Sequence, residues 1–430
     1  MFSAGCCSFW LGSVRIRRIG ALTRIGAWSI VRAMALPPQL SAAIDAAVSA
    51  DAEDLISLSA SLHAHPELRF EEVKAAGWIS ELVASRDIEV ERGLGGMPTS
   101  LRARAGTAGG PRVAILAEYD ALPEIGHACG HNLIAAGAVG AFLAAARVVG
   151  QIGGEVVLLG TPAEEGGGGK IKLIDAGAFE GLDAAIMFHP LDRDLLAHAA
   201  LASMWLMFEF TGTPSHAAAA PHIGASALTA CMDTFRLIDG QRVHFKDGVR
   251  VHGYITNGGQ AVNIIPERAA CEFSVRARDV EELGRVRAIV ERCARGAAMA
   301  SGVALELKSR QGYKDMRNNL TLARVFGEHL AATGRTARET DPGAGAGSTD
   351  MGDVSHVVPS IHPYLAIIGE GEALCHEHRF AAAAGSERGA ETALTAARVM
   401  ARTAIELLSS PALRDAVRAE WAAQAGAGPG

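Results

Sequence analysis

Short apolar runs at 112–117, 155–159 and 184–188 alternate with segments of helical character at 133–149 and 171–176. Strands that are continuous in apolar residues and separated by helices belong to a parallel sheet covered on both faces. This alternation constrains the chain more than any other feature. It predicts an α/β domain with a mainly parallel sheet, in which ligands gather at the carboxyl ends of the strands. Helical patterns from Ser41 through Leu62 and from about Glu71 to Arg86 precede it, and a helix over 386–408 closes it.

The middle third has a different rhythm. Strand 204–211, helix 224–237, strands 249–255 and 269–277, helix 280–299 and strand 304–308 follow the ferredoxin-like order. The expected organisation is therefore one α/β domain built from 34–200 and 316–430, interrupted by an α+β unit at 201–315. Residues 1–33 carry five arginines, no acidic residue and the adjacent Cys6 and Cys7, which is not the composition of a core. They are expected to lie outside both units, as an extension, as a leader that Arg24 interrupts after the Arg17-Arg18 pair, or upstream of a start at Met34.

Composition narrows the classes of partner. With 49% hydrophobic and 20% charged residues in 430, the chain can bury a sizeable core. A formal net charge of -7 gives no electrostatic footprint for nucleic acid or an acidic membrane. The most apolar stretch, from Leu133 onward, meets Arg147 before eighteen apolar residues have passed. Seven dispersed cysteines are no disulfide framework, so a soluble protein of a reducing compartment, the cytoplasm, is expected.

Chemistry concentrates at four places. Gly126-His127-Ala128-Cys129-Gly130-His131-Asn132 stands between a buried strand and a helix, and a thiolate two residues from an imidazole suits zinc or a related ion. Glu164 and Glu165 follow strand 155–159; of such a pair, one can hold a metal while the other takes a proton from the attacking water. The four glycines behind them are no phosphate loop, because Lys170 is not followed by Ser or Thr. His189 ends the next strand, and His376 and His378 lie in Leu374-Cys375-His376-Glu377-His378-Arg379-Phe380. Together these donors make a ligand set for two metal ions with one carboxylate to spare.

These motifs resemble the metallopeptidase and amidohydrolase family of aminoacylases, carboxypeptidase G, aminobenzoyl-glutamate hydrolases and β-alanyl-lysine (Xaa-Arg) dipeptidases. The resemblance covers about residues 41–410. It is carried by Leu62-His63-Ala64-His65-Pro66-Glu67-Leu68, Asp120-Ala121-Leu122-Pro123, the cluster at 126–132, Pro162 to Gly169, His189, Asn263-Ile264-Ile265-Pro266 and Ser348-Thr349-Asp350-Met351-Gly352. The stretch 348–363 is most similar to the dipeptidase and aminobenzoyl-glutamate hydrolase branch.

The resemblance implies a zinc-peptidase-like catalytic domain interrupted by a lid that also dimerises. It implies Cys129, His131, Glu165, His189 and His376 as ligands of two divalent ions, zinc first and manganese, cobalt or nickel as alternatives. His376 is preferred to His378 because the family's last ligand lies four residues before a phenylalanine, here Phe380. Glu164 is implied as general base and Asp120 as the carboxylate that orients the site. His216 would complete the site of the partner subunit in a homodimer, while Asn263 and Arg276 would hold the substrate. One departure stands out: where di-zinc relatives carry a histidine two residues before the aspartate, this chain has Glu118.

The expected activity is metal-dependent hydrolysis of an amide bond in a dipeptide or N-acyl amino acid, with an aminobenzoyl-glutamate type substrate as the alternative. A non-catalytic peptide-binding protein of the same fold is the competing class, and a serine hydrolase is disfavoured because no G-x-S-x-G elbow is present.

Overall fold

The computed structural model of the chain describes residues 36–310 and 312–426. The expectations for residues 1–33, Cys6 and Cys7 included, fall outside the described residues. Two helices, α1 (Pro38–Ala50) and α2 (Ala52–Ala64), occupy the stretch read as a single helix. They divide at Asp51, whose buried carboxylate turns inward to accept from Arg86 Nη2 at 3.1 Å and Arg147 Nη2 at 2.8 Å. Helix α3 (Val73–Ala84) leads to strands β1 (Val90–Arg92) and β2 (Leu101–Gly106), then β3 (Arg112–Ala117), helix α4 (His131–Val149), β4 (Glu155–Gly160), α5 (Gly169–Asp175), β5 (Ala184–Ile186) and β6 (His189–Leu191).

The inserted unit runs β7 (Ala202–Thr211), α6 (Ala227–Gln241), β8 (Arg250–Asn257), β9 (Arg268–Ala277), α7 (Val280–Ser301) and β10 (Ala304–Arg310). The chain then returns through α8 (Leu320–Ala331), α9 (Met351–Ser355), β11 (Ser360–Ile361), β12 (Tyr364–Ala366), α10 (His378–Ala384), α11 (Glu387–Ser409) and α12 (Pro411–Gly426).

The larger sheet has the order β1-β2-β4-β3-β5-β11, with β4, β3, β5 and β11 parallel and the β1-β2 edge antiparallel. Its central strands are buried on both faces, which is why they read as unbroken apolar runs. The smaller sheet has the order β10-β7-β9-β8, antiparallel throughout, the arrangement a ferredoxin-like unit requires. Its core is its own: Phe208, Phe210, Phe273 and Val275 pack against Val286 and Val290 of α7. The expected fold class, a mainly parallel α/β sheet with an inserted ferredoxin-like unit, is borne out.

Helix α4 lies beneath the parallel sheet and delivers the first metal-binding candidates. Over its 19 residues it is long and apolar enough to cross a bilayer in spite of Arg147, and nearly all of it is buried inside the protein, as a core helix is. Two of its glycines permit this depth. A Cβ on Gly137 would stand 2.5 Å from Phe188 Cε1, and one on Gly140 would stand 2.7 Å from Leu55 Cδ1. Gly137→Ala is therefore expected to destabilise the protein by about 1–3 kcal/mol through overpacking, although alanine favours helix. Denaturant melts would check this; an unchanged midpoint would show that Phe188 yields freely.

Candidate metal centre

The loop after β3 and the start of α4 form one side of the site. Gly130 precedes α4 at φ 76, and a Cβ there would sit 2.8 Å from Pro190 Cγ, so only glycine fits between Cys129 and His131. His131 Nδ1–H donates to the Asp120 carbonyl at 2.9 Å and to Asp120 Oδ1 at 3.0 Å. That bond fixes the ring and aims its Nε2 inward, where this buried atom has no hydrogen-bond partner among the described residues. The other oxygen of Asp120, Oδ2, accepts the backbone N–H of Glu165 at 2.9 Å. One buried carboxylate thus positions two candidate ligands.

The turn after β4 carries Glu164 and Glu165. Tyr313 donates its hydroxyl to the Glu164 carbonyl at 2.5 Å and accepts the Gly166 N–H at 3.1 Å, clamping the turn from the side of the inserted unit. His189, first residue of β6, donates Nδ1–H to the Pro190 carbonyl at 2.7 Å, which leaves Nε2 3.7 Å from Cys129 Sγ. His376 is held at φ 71 by its N–H, which donates to the Ala128 carbonyl at 2.9 Å, and its Nε2 stands 3.5 Å from Glu165 Oε1.

Ligand atoms of Cys129, His131 and His189 lie within 4.8 Å of one another, as do those of Cys129, Glu165 and His376, and those of His131, Glu164 and Glu165. Buried Nε2 of His131 and Oε1 of Glu165 lack hydrogen-bond partners among the described residues. Orphaned buried polar atoms are costly, and a divalent cation would satisfy both. The mixture of thiol, imidazole and carboxylate suits zinc and neighbouring transition metals. Asp120→Asn should leave the fold intact and weaken metal affinity by about 10- to 100-fold, measured by competition with a chelating dye, because the ring and the Glu165 turn lose their common anchor.

Electrostatics separates the two glutamates. Burial pushes the Glu164 carboxyl well above its ordinary range, and the carboxylates of Glu118, Glu165 and Asp350 add to the shift. Burial would also raise Glu165, but the neighbouring His376 ring and the charge of His131 outweigh it and lower it. Burial would keep His131 neutral, yet Asp120, Glu118 and Glu165 hold its proton well above the usual range.

Of the remaining sequence candidates, Arg276 lines the same cavity, of about 430 Å³, as Glu164, Glu165, Cys129, His189 and His376. His216 and Asn263 do not line it; both are exposed on the inserted unit, where His216 bridges to Ile264 and the Asn263 carbonyl accepts the Ala217 N–H at 2.9 Å. The His216 ring accepts the N–H groups of Ala218 and Ala219 at Nδ1, at 3.2 and 3.1 Å, so its proton sits on an outward Nε2.

Lys170, Glu118 and Asp350 were named in the sequence but given no part in the site, and the structure joins them there. Lys170, fully buried at the start of α5, forms ion pairs with Glu118 and, at 2.7 Å, with Asp350. Burial alone would strip its proton; Asp350, Glu118 and Glu164 together keep it charged. Glu118 keeps one oxygen unpaired, 3.5 Å from His131 Nε2. A lysine in the first turn of a glycine-led helix was the signal available, but its partners lie far away in sequence.

Comparison with known proteins gives a consistent picture. Residues 114–405 match the family described as Peptidase family M20/M25/M40. The chain is 39% identical to the Xaa-Arg dipeptidase of Mus musculus, over 86% of this chain and 89% of that one. It is 31% identical to one of the subunits of the p-aminobenzoyl-glutamate hydrolase of Escherichia coli, over 68% of this chain and 65% of the relative. Among solved structures, a Bacillus subtilis protein described as a dinuclear metal binding peptidase from the M20 family shares the fold at TM-score 0.67 and 23% identity, covering 84% of this chain and 99% of that one.

Proposed function

The chain belongs to Peptidase family M20/M25/M40, and from that premise we propose that it hydrolyses the amide bond of a dipeptide or N-acyl amino acid with two divalent metal ions and Glu164 as general base. The observation that carries this reading is the convergence of donors from four separate segments on buried atoms left without partners. Cys129, His131, Glu165, His189 and His376 would hold these ions between them. Zinc is the first choice, with manganese, cobalt or nickel as alternatives. Such ions, when bound, polarise the scissile carbonyl and make water a nucleophile near neutral pH.

The chain's own residues do the rest. Glu164 accepts the proton of the attacking water and returns it to the departing amine; its buried, carboxylate-rich surroundings favour the protonated form that exists between the two transfers. Asp120 keeps the His131 ring and the Glu165 turn in register. Arg276, on β9 at the cavity wall, pairs with the carboxylate of the substrate. His216 is exposed and outside the cavity of its own chain, so it serves the site of a second copy in a homodimer, donating from Nε2 to the carbonyl oxygen as charge develops there.

The relatives support, as first choice of substrate, a dipeptide with a basic carboxyl-terminal residue, as the name Xaa-Arg dipeptidase suggests, with an aryl amide of glutamate as the second. We place the activity in the cytoplasm, in keeping with the dispersed cysteines. A screen of β-alanyl dipeptides, Xaa-Arg dipeptides, N-acyl amino acids and aminobenzoyl-glutamate, run with each metal, tests the reading. Metal-dependent cleavage within this set is expected; a metal-loaded chain that cleaves none of them would refute it.

A further inference from the structure

We propose that His362 is a substrate-binding residue, its Nε2–H donating a hydrogen bond to a carbonyl or carboxylate oxygen of the bound amide. This rests on the hydrolase reading above and adds to it a contact from outside the inserted unit. His362 lies between β11 and β12, only 1% exposed, and lines the same cavity as the metal-binding candidates. Its ring meets that of His189 edge-on at 5.5 Å, yet it belongs to none of the groups whose atoms could share a metal ion.

The two nitrogens have different surroundings. Nδ1 is 3.4 Å from the Tyr364 hydroxyl, and we assign the hydroxyl as the donor of this pair, which places the ring proton on Nε2. Nε2 has no hydrogen-bond partner among the described residues. Ser348 Oγ, on the same cavity wall, is unpartnered as well. Buried polar atoms are almost always satisfied, so two that are free around one cavity mark a place where something polar binds. A buried N–H donor left free at a cavity wall is complementary to an oxygen. The backbone locks the ring in place: Pro363 follows it, and the Pro363 carbonyl accepts the N–H of His189 at 2.9 Å.

The test compares His362→Phe, His362→Gln and His362→Asn with the wild type at equal metal content, using the best substrate of the screen. The phenylalanine variant should raise KM by about 10- to 100-fold with kcat within a few-fold, because one hydrogen bond to a substrate oxygen, made equally before and in the transition state, is lost. Glutamine, whose amide nitrogen reaches the Nε2 position, should recover most of that loss; asparagine, whose amide falls short, should not. Should the phenylalanine variant fail to fold, the glutamine and asparagine pair still decides. A KM indifferent to all three substitutions, or a loss of activity that tracks a loss of bound metal, overturns the assignment. A wild-type chain that binds metal and cleaves nothing removes the hydrolase reading and this inference with it, whereas an active wild type with an unaffected His362→Phe removes the inference alone.

Discussion

Glu164→Gln should lower kcat by about 10²- to 10⁴-fold while metal stoichiometry and thermal stability stay at wild-type values. The substitution keeps the shape of the side chain and removes the proton acceptor, the one carboxylate of the pair that the two proposed ion sites leave free. Glu165, by contrast, meets His376 and His131 through a depressed carboxylate, as a ligand should. Glu165→Gln should therefore lose metal together with activity. The two variants separate base from ligand: if Glu164→Gln loses its metal and Glu165→Gln keeps it, the roles are reversed.

His216→Ala should cost about 10²- to 10³-fold in kcat, the range for removing one donor aimed at a developing oxyanion. The geometry makes a sharper statement possible. In its own chain His216 is exposed and outside the cavity, so a site completed in trans needs one subunit with Glu164 and another with His216. Mixing Glu164→Gln with His216→Ala chains and allowing exchange should then restore about one quarter of wild-type activity, because about half of the dimers are mixed and each mixed dimer holds one intact site. Absence of recovery after verified subunit exchange would place His216 outside the mechanism.

Much of this site was legible because the sequence puts its donors at strand ends and next to helix starts. β3, β4 and β5 are buried on both faces, so their runs stand out, and each leads directly into a functional turn. Strands β1 and β2 escaped notice because they are a partly exposed, charge-bearing antiparallel edge, and β11 and β12 because two or three residues carry no periodicity. The helix read through Leu62 as one piece is broken by a tertiary effect, the arginines that draw Asp51 inward. The Lys170 ion pairs with Glu118 and Asp350 were illegible for the same reason: their meaning depends on residues 52 and 180 positions away. Nothing in the residues themselves points His216 away from its own cavity. That expectation came from resemblance, and the structure shows where the side chain stands.

In the proposed mechanism two metal ions, held by Cys129, His131, Glu165, His189 and His376, make this chain an amide hydrolase. The decisive experiment strips the protein with a chelator and titrates metal back while following both bound metal and hydrolysis of the best substrate. No cleavage is expected in the stripped protein, and activity should return and saturate at two ions per chain. Undiminished cleavage by the metal-free protein, or full loading without any cleavage, would contradict the two-ion mechanism.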